Sequence, residues 1–251
     1  MELFFAEPAE DGTVAFGAVE ARHISRVLRH RPGDRVSVTD GTGVEYDVEL
    51  AAVGPKAVTG RVLGRSESAR EPAHRLTLAQ AVLKGEHLAQ ACAQATELGI
   101  AEFIPLVTER TVGRYGPSRY ERLKKVALAA LKSSTRTRLP AIEARALTLE
   151  ELLERRAGFD QALVAYEDET GPDLAGVLDR QAGSVLLVVG PEGGFEPGEV
   201  ARLKAAGVES FTMGPRRLRA ETAAVAVTAM ALQLLGDLGQ RRVSKPHEGR
   251  C

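Results

Sequence analysis

Three glycines follow a short apolar run near residue 190, and they could hold a ligand. Residues 185–189 predict a buried strand, and Gly190, Gly193 and Gly194 come directly after it. Because glycine has no Cβ, such a turn lets backbone N–H and C=O groups approach a ligand closely. Open parallel sheets bind ligands at the carboxyl ends of their strands, so the turn indicates a binding site. A tight turn that serves packing alone is the alternative.

Glu192, inside this turn, narrows the class of ligand. A phosphate-binding loop ends in Gly-Lys-Ser/Thr, which GPEGGF lacks, and a carboxylate at 192 would repel a polyphosphate. The glycine spacing also differs from the dinucleotide pattern G-x-G-x-x-G. The turn therefore favours a ligand that is uncharged or cationic near Glu192.

A second strand, turn and helix repeat this plan. Residues 209–213 predict a short strand, Gly214 and Pro215 turn the chain, and a helix opens near Glu221. The two turns could converge on one ligand at the same edge of a sheet. Residues 223–235 are apolar almost all round, which fits either a subunit interface or a central core helix.

The pattern of elements divides the chain into two domains. Residues 1–70 alternate short β-type runs with glycine turns, which predicts a small sheet or barrel interrupted by one helix at 19–28. A polar linker covers residues 65–75. Residues 71–251 alternate strands and helices, including helices at 148–156 and 172–180, which predicts an α/β domain with a parallel sheet.

Composition excludes several classes of protein. Of the 251 residues, 44% are hydrophobic and 27% are charged, which is ordinary for a globular protein. No apolar stretch is long enough to span a bilayer and the N-terminus lacks signal-peptide character, so we expect no membrane partner and a cytoplasmic location. Cys92, Cys251 and five scattered histidines have no metal-binding spacing, so no metal is expected.

Basic residues cluster in two stretches. The helix at 19–28 would expose Arg22, His23, Arg26 and Arg29, which indicates either an ordinary solvated face or contact with RNA phosphates. Residues 118–138 hold seven Lys or Arg residues against one acid, Glu121. This second stretch is a candidate surface for a polyanion.

Several motifs together resemble one enzyme family. GPEGGFEPGEV followed by MGPRRLRAETA resembles the paired signatures of the SPOUT-class RNA methyltransferases, specifically the ribosomal RNA small subunit methyltransferase E family. Other segments are similar to the family's remaining patterns, so the resemblance covers nearly the whole chain. These segments are HISRVLRHRPGD, DGTG, KGEHLAQACAQATELGIAEFIPLVTERTV and RTRLP.

The resemblance implies a fold, a cofactor and a reaction. In each subunit, a PUA-like RNA-binding β-barrel would precede an α/β domain tied into a trefoil knot. Two subunits would form a homodimer, with the apolar final helix at the interface. The reaction would be S-adenosylmethionine-dependent methylation of N3 of one uridine in 16S rRNA, near the decoding site of the small ribosomal subunit. The implied cofactor pocket has one wall from the first turn and one from the second, with Glu167 beside them: Gly190, Pro191, Glu192, Gly193 and Gly194, then Met213, Gly214, Leu218 and Thr222.

Methylation at N3 requires the loss of a proton, and two residues fit that chemistry. Arg219 is predicted to stabilise the negative charge that develops on the uracil carbonyl oxygens. Glu221 is a candidate to accept the proton, although an acid in the first turn of a helix also suits the helix dipole. Arg136 and Arg138 are assigned to the RNA backbone, and the target base must be turned out of its stack.

Three places depart from the family pattern. Lys132, Ser133 and Ser134 stand where Glu-Gln-Ser or Glu-Gln-Cys is usual, Gln94 replaces a lysine, and Glu196 caps a helix in place of serine or threonine. Two other functions stay open: a relative that grips rRNA without methylating it, and a methyltransferase that acts at a different RNA position.

Overall fold

The structure, a computed structural model, describes residues 2–67 and 70–239 of the chain. The chain divides into two compact units. The first unit contains the residues up to Glu71 together with Leu131–Leu139, and the second contains Pro72–Ala130 and the described residues from Pro140 onward. The chain therefore returns to the first unit for nine residues in the middle of the second.

The first unit is built on a five-stranded sheet. Alternating apolar residues turn one face of each strand inward, and Phe4, Val38 and Val48 are buried in its core. The strand order is β1-β3-β4-β5-β2; β1 pairs parallel with β3, and the other pairs are antiparallel. The elements are β1 (Leu3–Phe5), β2 (Thr13–Phe16), α1 (Ala18–Arg22), β3 (Arg35–Thr39), β4 (Val44–Val53) and β5 (Val58–Glu67).

The helix expected at residues 19–28 forms in a different geometry. After α1 the chain continues as a π-helical turn over His23–Val27. The Ser25 hydroxyl donates to the Ala21 carbonyl, and the Leu28 backbone N–H donates to the His23 carbonyl, five residues back. Arg29 then takes the left-handed conformation, with φ of 59°, which ends the turn.

The second unit contains a six-stranded sheet in which every pair is parallel, as predicted. Its order is β11-β9-β10-β6-β7-β8. The strands are β6 (Arg75–Ala81), β7 (Glu102–Leu106), β8 (Ala141–Ile142), β9 (Gln161–Ala165), β10 (Ser184–Val189) and β11 (Glu209–Phe211). The helices are α2 (His87–Leu98), α3 (Pro117–Ser133), α4 (Leu149–Arg155), α5 (Leu174–Val177), α6 (Pro197–Ala205) and α7 (Ala220–Leu234).

Helices pack against this sheet and leave its strand ends open for a site. Leu152 of α4 and Leu203 of α6 share one apolar cluster with Ile104, Leu186 and Val188 of the sheet. The helices α2 and α7 pack on each other, and α7 contacts β6 and β10. The short strands β9, β10 and β11 consequently end side by side, which brings their following loops together.

Two helix boundaries follow the sequence signals closely. The Thr148 hydroxyl accepts the Glu151 backbone N–H at 3.2 Å, while the Glu151 carboxylate accepts the Thr148 backbone N–H at 2.9 Å. Together these two bonds form a capping box, which begins α4. Gly99, with φ of 124°, ends α2.

The helix expected at residues 172–180 is much shorter than predicted. Only Leu174–Val177 is helical. The buried Gln161 of β9 explains the early end, because its amide donates to the Val177 carbonyl and accepts the Asp179 backbone N–H. Because the Val177 carbonyl and the Asp179 N–H bond to a strand residue, they are not available for the backbone hydrogen bonds that would extend the helix.

Cys92 lies in α2 and is fully buried. Burial raises the pKa of its thiol to about 12, so it is an unreactive core residue. Cys251 lies outside the described residues. Within residues 2–67 and 70–239, no helix combines the length and the apolar character that a membrane span requires.

Candidate functional site

A cavity of about 920 Å³ lies in the second unit, beyond the carboxyl ends of β6, β9, β10 and β11. Its volume lies within the range of small-molecule binding sites. The lining comes from the loops that follow these strands, from Arg110 in the loop after β7, and from the first turns of α2 and α7. The charged residues that line it are Lys84, His87, Arg110, Glu167, Asp168, Glu192, Arg216, Arg217, Arg219 and Glu221.

The turn after β10 is fastened to the centre of the sheet. The buried Gln80 amide nitrogen donates to the Gly190 carbonyl and to the Ala81 carbonyl, each at 3.0 Å. Gly190 lies so close to the Phe195 ring that a Cβ would come within 3.0 Å of it. Both contacts fix the first residue of the turn.

Gly194 closes the same turn in a conformation that other residues rarely adopt. Its φ is 71°, and a Cβ at this position would lie 1.7 Å from Oε1 of Glu167. Its backbone N–H donates to the Pro191 carbonyl at 3.0 Å. Glycine is therefore required here both by the backbone and by the carboxylate that lies against it.

Glu192 and Arg110 connect this turn to its neighbours. Oε1 of Glu192 accepts the Lys84 backbone N–H at 3.0 Å, which ties the turn to the loop after β6. Arg110 donates to the Gly193 carbonyl at 2.8 Å and to Oε1 of Glu196 at 2.7 Å. The Glu196 backbone N–H in turn donates to Glu199, so the predicted acidic start of α6 is confirmed.

The second turn presents three arginines to the cavity. Arg216, Arg217 and Arg219 are exposed, and none of their side chains has a hydrogen bond or ion pair with another residue of the described chain. Glu221, two residues later, is buried in the first turn of α7. Its Oε1 lies 3.3 Å from Nδ1 of His87, at the start of α2.

Most of the residues predicted for the cofactor and the chemistry lie around this one cavity. Arg219 and Glu221 line it, as do eight of the ten residues predicted for the cofactor. Gly193 and Thr222 do not: Gly193 is backed by the Arg110 side chain, and Thr222 is exposed outside the lining. The eight lining residues are Glu167, Gly190, Pro191, Glu192, Gly194, Met213, Gly214 and Leu218.

Sequence reasoning missed several charged residues of the cavity. Lys84 and His87 follow β6, a strand beside β10, so their position at the same sheet edge could have been expected from the parallel order. Asp168 follows β9 next to Glu167 in the same way. Arg110 reaches the cavity from the loop after β7, and no residue spacing in the sequence predicts this position.

The residues predicted to contact RNA differ in their exposure. Arg22, Arg26 and Arg29 of the first unit are exposed, and His23 is half-buried with its Nε2 at 3.6 Å from Glu2. Arg138 is also exposed. These five side chains keep the accessibility that an RNA contact needs.

Arg136 requires a correction. Its side chain is only 4% exposed, and it donates to Oε2 of Glu71 at 2.7 Å and 3.1 Å, so it has a structural role in place of the predicted RNA contact. Oε1 of Glu71 accepts the backbone N–H groups of Thr137 and Arg138. Burial raises the pKa of the Glu71 carboxyl, but Arg136 and these N–H donors outweigh it and hold the pKa below its usual value.

The basic stretch at 118–138 is largely neutralised by its own surroundings. Arg119 donates to the Leu83 and Gly85 carbonyls, Arg122 pairs with Glu86, and Lys124 pairs with Glu121. Lys132 and Arg136 also have acidic partners. The stretch is therefore a weaker polyanion surface than its sequence suggests.

The structure explains one departure from the family pattern. Nζ of Lys132 lies 2.5 Å from Oε1 of Glu20, and both groups belong to the first unit. Glu20 is nearly buried, so the lysine compensates a carboxylate that would otherwise lack a cation. Ser134 donates to the Leu131 carbonyl. Nothing in the structure explains Gln94.

Comparisons with protein-family models and with known proteins give matches over most of the chain. An RNA methyltransferase domain model matches residues 69–232, and an RNA methyltransferase PUA domain model matches residues 19–63. The chain is 32% identical to the ribosomal RNA small subunit methyltransferase E of Bacillus subtilis, over 94% of this chain and 98% of that protein.

Two solved structures are similar along nearly their whole length. One is a ribosomal RNA small subunit methyltransferase E from Neisseria gonorrhoeae bound to S-adenosyl methionine, with 26% identity and a TM-score of 0.83 over 93% of this chain and 98% of that chain. The other is a probable rRNA-methyltransferase from Porphyromonas gingivalis, with 28% identity and a TM-score of 0.83 over 94% and 99%.

Proposed function

Because the chain belongs to the ribosomal RNA small subunit methyltransferase E family, we propose that it methylates N3 of a specific uridine in 16S rRNA, near the decoding site, with S-adenosylmethionine as the donor. One observation carries the proposal: the two glycine-bearing turns and both candidate catalytic side chains line a single cavity. An rRNA substrate would put this activity in the cytoplasm.

The cavity has groups that suit a sulfonium cofactor such as S-adenosylmethionine. When bound, this cofactor supplies a methyl group activated by a positively charged sulfur. Glu167, Asp168 and Glu192 give the lining three carboxylates that would attract a cation, and Gly190 and Gly194 leave backbone accessible. Met213 and Leu218 supply apolar surface for the rest of the molecule.

Arg219 and Glu221 are the residues we assign to the uridine. The exposed Arg219 guanidinium is free to lie against a uracil carbonyl oxygen, where charge develops as N3 loses its proton. The Glu221 carboxylate, buried at the cavity wall, is the group we assign to accept that proton. The target base has to leave its stack to reach these groups.

The remaining proposals concern the architecture. We assign residues 1–70 to a PUA-like barrel that holds RNA through Arg22, His23, Arg26 and Arg29, and residues 71–251 to the methyltransferase domain. Arg138 extends the RNA surface in this proposal. The five-stranded sheet and the PUA domain match support the first assignment.

A homodimer and a trefoil knot complete the proposed architecture. Along α7, Ala226 is half-buried and Met230, four residues later, is 40% exposed, an apolar face that a second copy would cover. The knot is tested by pulling a single molecule from both termini: a knotted chain extends to less than the contour length of 251 residues. An extension to the full contour length would remove the knot from the proposal.

The decisive experiment maps the methyl group on rRNA. Cells with and without the gene are compared by mass spectrometry of 16S rRNA, and we expect one N3-methyluridine that disappears with the gene. A methyl group at a ribose or in tRNA would support the second alternative. The non-catalytic binder would be supported by a different set of results. In that case RNA from cells with and without the gene carries the same methyl groups, and the protein binds rRNA but gives no calorimetric signal for S-adenosylmethionine.

A matched pair of glycine variants tests the cofactor site. Gly194→Ala forces a side chain into the left-handed region and displaces Glu167, so we expect affinity for S-adenosylmethionine to fall about 10-fold, for roughly 1–3 kcal/mol of strain. Gly198→Ala, in α6 with open space around it, is the control and should bind normally. Equal calorimetric affinities for the two variants would contradict the assignment of Gly194 to the pocket.

A further inference from the structure

Lys84 is a free cation at one end of the cavity. It lies in the loop after β6, and its side chain is exposed. Within the described residues, its ammonium group has no hydrogen bond and no ion pair. Other cations nearby are already paired, Arg110 with Glu196 and Arg122 with Glu86. An exposed charge that lines a cavity and has no partner of its own is available to a ligand.

The backbone on both sides of Lys84 is held in place. Its own N–H donates to Oε1 of Glu192 at 3.0 Å. The Arg119 guanidinium donates to the Leu83 carbonyl at 2.8 Å and to the Gly85 carbonyl at 3.1 Å. Lys84 therefore combines a fixed main chain with a free side chain, and its ammonium group stays on one side of the cavity.

The order of the strands places acids between two groups of cations. Of the four strands that end at the cavity, β11 and β6 lie on the outside, and β9 and β10 lie between them. The outer strands are three spacings apart, which is roughly 14 Å. In the order β11, β9, β10 and β6, the charged side chains of the loops are Arg216 and Arg217, then Glu167 and Asp168, then Glu192, and finally Lys84.

This pattern of charge favours an anion whose charges lie apart. A phosphate at the centre would face three carboxylates and be repelled, whereas a phosphate at either side would face a cation. The group proposed for the centre is the sulfonium of the cofactor. An RNA strand carries a phosphate on each side of a nucleotide, so its phosphates can meet both sides while the base between them enters the cavity.

We propose that Lys84 binds one phosphate of the target RNA strand and that Arg216 and Arg217 bind another, on the opposite side of the base that enters the cavity. This inference rests on the proposed function. It lays the RNA strand across the edge of the sheet, from β6 to β11. Phosphate contacts carry no sequence information, but they fix the register of the strand. Lys84 therefore helps to decide which nucleotide reaches the cofactor.

Removing the charge of Lys84 tests the first phosphate contact. Lys84→Gln should weaken binding of a 16S rRNA transcript several-fold and lower the slope of log affinity against log salt by about 1. Its Tm should match that of the wild type, because the side chain has no partner to lose. Filter binding and thermal unfolding measure the two effects.

Arg180→Gln is the control for the loss of one positive charge. Arg180 is exposed and lies in the segment that leads into β10, at the amino ends of the strands and away from the cavity. This variant should keep the salt slope of the wild type. A slope in Lys84→Gln that equals the slope in Arg180→Gln would overturn the contact between Lys84 and a phosphate.

A double variant tests whether two phosphates are bound. If the two sides bind different phosphates, adding Lys84→Gln to Arg217→Gln should lower the salt slope by about 1 again, because independent contacts add. A double variant with the slope of Arg217→Gln alone would overturn the two-sided arrangement.

Uncharged linkages in the RNA test which phosphate Lys84 binds. One phosphate beside the target uridine is replaced by a methylphosphonate, which carries no charge, in a ligated 16S rRNA transcript. We expect the linkage on one side to weaken binding by the wild type and to leave binding by Lys84→Gln unchanged. The linkage on the other side should weaken binding by both proteins. Equal effects of each linkage on the two proteins would overturn the assignment.

The carboxylate of S-adenosylmethionine is a second anion that Lys84 could meet. Calorimetry distinguishes the two, since the proposal requires Lys84→Gln to bind the cofactor as tightly as the wild type does. A loss of cofactor affinity together with an unchanged salt slope would overturn the phosphate contact. A wild type that binds rRNA and methylates none would overturn the proposed function, and the salt slope of Lys84→Gln would still measure this contact.

Discussion

Arg136 and Arg219 are both arginines of basic motifs, yet the structure uses them in opposite ways. Arg136 is buried and donates twice to Glu71. The Arg219 side chain, at the start of α7, is exposed and has no hydrogen-bond or ion-pair partner among the described residues. The difference is whether an acid from elsewhere in the chain meets the guanidinium. A buried, paired arginine stabilises the fold, whereas an unpaired one at a cavity is available to a ligand.

The largest effect should come from breaking the buried pair. Glu71→Ala leaves the Arg136 guanidinium buried without its carboxylate, and we expect the first unit to lose about 3–5 kcal/mol of stability. Urea unfolding at pH 7 measures this loss. Glu71→Gln keeps an acceptor for the two backbone N–H groups and should lose less. A loss below about 1 kcal/mol in Glu71→Ala would show that the pair is not a structural anchor.

Acid should weaken the same anchor. The pKa of Glu71 is lowered in the folded protein, so its contribution is present above the ordinary value of 4.5 and is lost as pH falls through the folded-state value. The stability difference between the wild type and Glu71→Gln should therefore shrink below about pH 4.5. A difference that stays constant down to pH 3 would contradict this linkage.

Removing Arg219 should affect chemistry and leave stability unchanged. Arg219→Ala is expected to lower kcat about 10²–10³-fold, the usual loss when a donor to a developing oxyanion is removed. Arg219→Lys keeps the positive charge but loses the planar guanidinium, so its kcat should lie between those of the wild type and Arg219→Ala. Single-turnover methylation and thermal unfolding measure the two effects. Full activity in Arg219→Ala would remove it from the reaction.

Lys132 sharpens the comparison because it is paired and only partly buried. Lys132→Ala leaves the carboxylate of Glu20 unpaired and should cost about 1–3 kcal/mol of stability. Lys125→Ala, at an exposed position of α3 whose side chain has no partner in the described chain, is the matched control and should change stability by less than about 0.5 kcal/mol. Equal losses would mean that the pair with Glu20 contributes nothing.

The smallest effect should come from the two other free arginines of the cavity. Arg216→Gln and Arg217→Gln remove exposed charges, so we expect each to weaken rRNA binding only several-fold and to lower the slope of log affinity against log salt by about 1. Filter binding at several salt concentrations measures the slope. An unchanged slope in both variants would place the RNA phosphates elsewhere.

Much of the second unit could be predicted because local signals decide it. The apolar run that ends at Val189, followed by glycines, predicts a buried strand and a turn after it, and the structure has both, with the turn lining the cavity. Thr148 and Gly99 mark helix ends through their own backbone chemistry. Parallel order then brings both turns to one edge.

The features that could not be predicted depend on partners distant in sequence. Glu71 precedes Arg136 by 65 residues, and Glu20 precedes Lys132 by 112, so a basic stretch looked like a free surface. Gln161 of β9 ends α5 by taking its carbonyl. His87 and Glu221 meet only after α2 and α7 have packed together.

The return of Leu131–Leu139 to the first unit has a consequence for dividing the protein experimentally. A fragment ending at Glu71 would lack Arg136 and the N–H donors of Thr137 and Arg138, so the Glu71 side chain would lose the cation and the donors that it binds in the whole protein. The complementary fragment would carry nine residues whose packing surface had been removed. No single cut in the gene therefore yields two self-sufficient halves, and a domain-swap chimera has to exchange both segments together.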